Sequence, residues 1–89
     1  PNSYLQTIYL QTSGGQNLSN TDYYAEEVTI IASSSNTTSV YLSNGTGTIT
    51  LNPGDAVTLR KVNLKQLSVY IENNTNTQYQ VVYVVAGGY

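Results

Sequence analysis

Short segments in which apolar and polar residues alternate constrain this chain more than any other feature of its sequence. The alternation is clearest in residues 48–51, 57–59 and 67–71, and clusters of turn-forming residues recur about every ten residues. A period of two residues is that of a half-buried β-strand. Regularly spaced turns between short strands are typical of a sandwich or barrel. We therefore predict an all-β fold: one small antiparallel β-sandwich of about seven strands, jelly-roll or immunoglobulin-like, spanning residues 1–89.

The turn signals divide the chain into its predicted strands. Residues 13–22 are rich in Gly, Asn and Ser, and they predict a flexible loop after the first strand. The predicted strands cover residues 4–12, 23–32, 40–43, 48–51, 67–71 and 78–86, with one more that contains Val57 and Leu59.

Residues 52–55, with the sequence Asn-Pro-Gly-Asp, predict a type II turn, because proline occupies its second position and glycine its third. Leu51 before the turn and Val57 after it are both expected to point inward. A two-residue hairpin loop would put them on opposite faces. We therefore expect either a bulge here or an arch that carries the chain from one sheet to the other.

The composition limits what the protein can do. The 89 residues include no Cys and no His, so disulfides and the usual zinc sites and nucleophile–base pairs are missing. Charged residues make up 9% of the chain and the net charge is −2, which gives no electrostatic basis for binding nucleic acid. No apolar run has the length of a membrane span. We expect no catalytic residue, no cofactor and no metal, and thus no enzyme.

A domain this small buries only about 60% of the surface of its unfolded chain, so association with other subunits would add stability. Two segments favour such association. Residues 4–12 are apolar on both strand faces, and the last strand carries an unbroken apolar run over residues 81–85. One face of each strand belongs to the core. The other face must be covered, either by packing within the domain or by another chain.

We therefore expect residues 1–12 to include an intersubunit strand, tethered by the loop that follows. The alternative is that the segment pairs within its own sandwich. The predicted assembly interface consists of Tyr4, Leu5, Ile8, Tyr9, Leu10, Val82 and Val84.

The second half of the chain resembles a known class of proteins. It reads TITLNPGDAVTL over residues 48–59, VNLKQLSVYI over 62–71 and TQYQVVYVV over 77–85. This pattern is similar to the small β-sandwich proteins of virion surfaces, such as the head decoration and fibre-base modules of tailed phages. The composition, rich in Thr, Asn and Tyr and poor in charge, also resembles that of archaeal extracellular filament subunits, which are joined by donated strands.

The resemblance implies a structural protein of a repeating surface assembly, located on a virion or outside a cell. Its partners would be copies of itself and a major capsid or filament protein. The alternatives are a filament subunit joined by donor-strand complementation and a carbohydrate-binding adhesin. The sugar-stacking candidates for an adhesin are Tyr23, Tyr24, Tyr41 and Tyr70, and the glycan acceptor candidates in a secreted protein are Asn17, Asn36, Asn44 and Asn73.

Overall fold

The structure, a computed structural model, describes residues 3–11, 14–72 and 78–88. These residues form eight strands and one short 3₁₀ helix, Leu64–Gln66. The strands are β1 (Ser3–Leu10), β2 (Gly14–Asn17), β3 (Tyr24–Ala32), β4 (Val40–Ser43), β5 (Thr48–Leu51), β6 (Ala56–Asn63), β7 (Ser68–Ile71) and β8 (Gln80–Gly88). The fold is all-β, as predicted, with eight strands where the sequence suggested about seven.

The strands form two four-stranded antiparallel sheets that pack as a sandwich. The order is β1-β8-β3-β6 in one sheet, called here the β1 sheet, and β2-β7-β4-β5 in the other, called the β2 sheet. This strand order is that of a jelly roll, in which the first and last strands are neighbours in one sheet of a double-sheet sandwich. Of the two topologies that the sequence left open, the structure has the jelly roll.

The core lies between the sheets and is built from the inward residues of each alternating strand. Ile30, Val69 and Val84 are fully buried, and they come from three different strands. Leu51 and Val57, on opposite sides of the 52–55 turn, lie in different sheets, and both contact the core. The predicted arch from one sheet to the other is thus confirmed.

The turn within that arch has the predicted type II geometry. Gly54 has φ of +90°, a conformation that L side chains rarely adopt, and the Asp55 N–H donates to the Asn52 carbonyl at 2.9 Å. The Gly54 N–H donates to the carbonyl of Ala32 at 3.0 Å. The arch is therefore attached to the end of β3.

Part of the segment predicted as a flexible loop, residues 13–22, is a strand instead. It contains β2, which pairs antiparallel with β7 from Gly14↔Ile71 to Asn17↔Ser68. Leu18 follows it and is fully buried, and its N–H donates to the Leu67 carbonyl at 2.9 Å. The sequence GGQN has no strand propensity of its own, so a partner more than fifty residues away in sequence imposes this strand.

Two buried amide side chains hold the connection between β3 and β4 against the start of β8. Gln80 is fully buried, and its Oε1 accepts from the N–H groups of Thr37 at 2.8 Å and Thr38 at 3.1 Å. Asn36 is also buried; its Nδ2 donates to the Val81 carbonyl at 3.0 Å and its Oδ1 accepts from the Val81 N–H at 2.7 Å. The Asn36 amide thus bonds to both backbone groups of Val81, as a residue of a neighbouring strand would.

Candidate interaction surface

The outer face of β1 and β8 is apolar and exposed to solvent. Leu5 lies opposite Val85 in the register of the two strands, and their exposed fractions are 75% and 45%. Tyr83, the next outward residue of β8, is 41% exposed. Paired residues on neighbouring strands share a sheet face. These side chains therefore form one continuous surface.

Two further tyrosines extend this surface at one end. Tyr9 of β1 is 60% exposed and Tyr79, just before β8, is 49% exposed. Their rings meet edge to face with centroids 5.8 Å apart, a favourable aromatic arrangement. We call the surface made by Leu5, Tyr9, Tyr79, Tyr83 and Val85 the β1–β8 apolar face.

The charged residues of the β1 sheet lie on its other half. Neither β1 nor β8 contains a charged residue. In contrast, Glu27 of β3 and Arg60 of β6 form an exposed ion pair with Nε and Oε2 3.3 Å apart. Such an exposed pair contributes at most about 1 kcal/mol to stability. Its main consequence is to make one half of the sheet hydrophilic while the β1–β8 half stays uncharged.

The residues predicted as an assembly interface separate into two groups. Leu5 and Tyr9 are on the apolar face, and Tyr4 is half-buried with its hydroxyl donating to the Leu18 carbonyl at 2.6 Å. The other four are buried in the core, so they are not on the surface of this chain: Ile8, Leu10, Val82 and Val84.

The reason for this separation is the period of two along a strand, which puts neighbouring residues on opposite faces. The predicted interface includes Val82 and Val84 of the run 81–85, whereas the outward residues of this run are Tyr83 and Val85. The sequence signal for the outward face of β8 is Tyr83, because a tyrosine among valines favours the side on which its hydroxyl can reach solvent. The structure pairs β1 with β8 of the same chain, which is the intramolecular alternative.

A cleft opens between the two sheets at the side where β5 and β6 are the edge strands. Its volume is about 530 Å³, and its apolar lining includes Leu42, Leu59 and Leu67. Ile49 also lines it, on the inward face that the alternation of residues 48–51 predicts, yet it is 44% exposed. It stays exposed because β5 is an edge strand, and no described strand of the β1 sheet lies beyond β6 to cover it. β1 is at the opposite edge of its sheet from β6.

The outer face of the β2 sheet carries a second aromatic pair. Tyr41 and Tyr70 are paired across β4 and β7, and their rings are stacked with centroids 5.3 Å apart and planes inclined by 26°. The Tyr41 hydroxyl donates to Glu72 Oε1 at 2.6 Å. This hydrogen bond, with smaller effects of burial and of the nearby negative charge, raises the pKa of Tyr41 above its usual value of 10.0.

The other two tyrosine candidates differ in their accessibility. The Tyr23 ring is half-buried and lies against the Tyr4 ring, with centroids 5.0 Å apart. Tyr24 is 55% exposed. The four tyrosines therefore do not form a single flat surface.

The candidate glycan acceptors also differ. Asn17 and Asn44 are exposed, while Asn36 is buried with both its amide atoms bonded to Val81, so it could carry no glycan in this fold. Asn73 lies outside the described residues.

Two of the acidic side chains hold neighbouring segments of the chain in place. The Asp22 carboxylate accepts from the Asn63 amide at 2.8 Å, and Asp55 accepts from the Asn52 N–H at 3.0 Å. No group of three or more potential metal ligands is found within residues 3–11, 14–72 and 78–88.

In this same part of the chain, no helix has the length and apolar character needed to cross a membrane.

Comparisons of the chain with protein families, with curated proteins and with solved structures find no match.

Proposed function

We propose that this chain is a non-enzymatic structural subunit of a repeating surface assembly, specifically a decoration or minor structural protein of a virion capsid. The observation that carries the proposal is the β1–β8 apolar face. Five large apolar or aromatic side chains are exposed together on β1, on β8 and on Tyr79 just before β8, and neither strand contains a charged residue. An exposed cluster of this kind on a small domain typically marks a surface that another protein covers.

The composition of the face supports contact with protein. Three of its five members are tyrosines, a residue enriched at interfaces because it combines a large apolar ring with a hydroxyl that can still bond to water. The absence of charge on β1 and β8 means that no ionic group must lose its hydration on contact.

The fold is compatible with this role without assigning it. Jelly rolls include viral capsid and lectin domains as well as cupins, so the topology alone does not distinguish among functions.

A filament subunit joined by strand donation is the second candidate, and the cleft between β5 and β6 favours it. A strand added at β6 could cover Leu59 and Ile49, because it would extend the β1 sheet over the open side. β1 lies at the opposite edge of that sheet from β6. A segment donated from one edge to the other would join subunits head to tail, which gives an open chain of subunits rather than a closed ring.

A carbohydrate-binding adhesin receives less support. Sugar rings stack on an aromatic face that is open to solvent, but the Tyr41 and Tyr70 rings are stacked on each other. Each ring thus covers one face of the other.

The proposal is tested by introducing charge into the apolar face. We expect Val85→Lys to prevent self-association or binding to the native particle, as measured by light scattering after size exclusion and by electron microscopy. Thr58→Lys is the matched control, because Thr58 is an exposed residue of the same sheet on the charged half. The proposal is wrong if the Val85 variant assembles as the unchanged protein does.

A further inference from the structure

The four edge strands of the sandwich differ in how they are protected against pairing with another strand. β2 and β5 have only four residues each. β6 is long, but it carries Arg60 and Lys61, and Lys61 has a positive φ of 54° that interrupts the regular strand. Short length, lysine and local distortion are the usual means by which proteins block an exposed edge.

β1 has none of these protections. It has eight residues, with the sequence SYLQTIYL, and it contains no charge, no proline and no glycine. All eight pair with β8 without a register shift, so the strand is regular over its whole length. Among the strands that the structure describes, none lies beside its other edge. An edge of this kind is a ready template for a further strand.

The hydrogen bonds of the sheet show which backbone groups of β1 point to the free edge. The Ser33 N–H donates to the Val81 carbonyl at 3.0 Å, which makes the odd-numbered residues of β8 the ones that bond to β3. Backbone groups of successive strand residues point to opposite sides. The even-numbered residues of β8 therefore bond to β1.

The register then fixes the direction of the β1 groups. Gln6 is opposite Val84 and Ile8 is opposite Val82, so the even-numbered residues of β1 bond to β8. The N–H and C=O groups of Leu5, Thr7 and Tyr9 point away from the sheet.

We propose that a second copy of this chain pairs with this edge, antiparallel, about a two-fold axis that passes through Thr7. This inference rests on the proposed structural function and names the contact between two subunits. A two-fold axis normal to the sheet keeps the outer faces of both copies on one side. The result is a continuous eight-stranded sheet closed by one isologous contact.

The side chains of β1 are complementary to themselves about this axis. Leu5 of each copy lies opposite Tyr9 of the other, and the two Thr7 side chains meet on the axis. Apolar–aromatic and Thr–Thr pairs are among the stabilising cross-strand combinations. Because β1 has no charged residue, the symmetry brings no like charges together.

The pairing also joins the two apolar faces. The β1–β8 apolar face reaches the free edge through Leu5 and Tyr9. Across the axis the same residues of the second copy continue it, so two subunits would present one surface of double size to a third partner. This continuity favours a second copy of the chain over an unrelated strand as the occupant of the edge.

The inference is tested by a proline at the free edge. Thr7→Pro removes an N–H that points outward and leaves the ladder to β8 unchanged, so the subunit should still fold. Two intersubunit hydrogen bonds are lost, and we expect the dissociation constant of the dimer to rise at least about 30-fold. The readout is the molar mass over a concentration series, with circular dichroism to establish folding.

Thr58→Pro is the matched control. Thr58 is also exposed and lies on the other edge strand of the same sheet. The bond from the Ala32 N–H to the Asp55 carbonyl shows that the odd-numbered residues of β6 bond to β3, so the Thr58 N–H also points outward. We expect this variant to dimerise normally. Equal effects of the two prolines, or an unchanged protein that is monomeric at every concentration, would overturn the inference.

A cysteine on the axis gives a second measurement that does not depend on proline being tolerated. Opposed residues in an antiparallel pair have Cα atoms about 5.5 Å apart, within the range of a disulfide. The chain has no other cysteine, so Thr7→Cys can form only an intermolecular bond. We expect oxidation to link Thr7→Cys into dimers much faster than Thr58→Cys, and equal rates would contradict the inference.

The failure of this inference is distinguishable from the failure of the proposed function. If the Thr7→Pro variant still assembles while Val85→Lys does not, the structural role stands and the edge contact is wrong. If the unchanged protein forms a dimer that Thr7→Pro abolishes but neither forms nor joins a larger assembly, the edge contact stands and the proposed function is wrong.

Discussion

Replacement of Gln80 tests whether one buried amide holds the connection between β3 and β4. The side chain makes three hydrogen bonds: its Oε1 accepts from the N–H groups of Thr37 at 2.8 Å and Thr38 at 3.1 Å, and its Nε2 donates to Thr37 Oγ1 at 3.0 Å. Gln80→Leu keeps a similar volume but removes all three. At about 1 kcal/mol each, the bonds sum to roughly 3 kcal/mol.

The apolar side chain offsets part of this loss, because leucine gains in the core what an amide does not. We therefore expect the free energy of unfolding to fall by about 2–3 kcal/mol. A domain of this size has roughly 4–13 kcal/mol in total. The midpoint of thermal unfolding should fall by about 10–20 °C.

Thermal and urea unfolding followed by circular dichroism measure this effect. Gln16→Leu is the control, because Gln16 is an exposed glutamine of β2, and we expect it to change stability by less than about 0.5 kcal/mol. A Gln80→Leu protein as stable as the unchanged chain would refute the reasoning, since it would mean that the three bonds contribute nothing net.

Three further predictions concern single residues. Gly54→Ala should destabilise the fold by about 1–2 kcal/mol because φ is +90° there, whereas Gly47→Ala should be nearly neutral in the same urea titration. Leu18→Ala should cost about 2–5 kcal/mol, measured by thermal unfolding, because the side chain is fully buried; a loss below 1 kcal/mol would contradict its place in the core. The hydrogen bond to Glu72 raises the pKa of Tyr41, so its contribution to stability is present below pH 10.0 and is lost as the pH rises through the higher folded value. Ultraviolet titration should show Tyr41 ionising at lower pH in Glu72→Gln, and an unmoved midpoint would exclude this cause.

The local features of the fold could be predicted from the sequence where short-range chemistry decides them. Val40–Ser43 and Thr48–Leu51 have the predicted bounds, because Asn44-Gly45 between them is a strong turn signal. The Asn44 side chain accepts from the N–H groups of Thr46 and Gly47 at 3.0 Å and 2.8 Å, which closes this turn without help from the rest of the molecule. The type II turn at 52–55 is local in the same way.

The candidate surface could be predicted only in part. The sequence identified the first and last strands as apolar on both faces, and the structure leaves one face of each exposed. Which residues are outward depends on the strand register, and a one-residue difference exchanges the two faces. For this reason the predicted interface includes both Tyr9, which is exposed, and Val82, which is buried, and it omits the exposed Tyr83.

The all-β class, most of the strands and the lack of charge along β1 and β8 can be derived from the sequence. These properties follow from composition and from patterns within a few residues. The tertiary structure alone decided the jelly-roll order, the strand β2, the burial of Leu18 and the exposure of Ile49. Each of these depends on which distant segment lies alongside, and that choice is made by the burial of apolar surface over the whole sandwich rather than by any local preference.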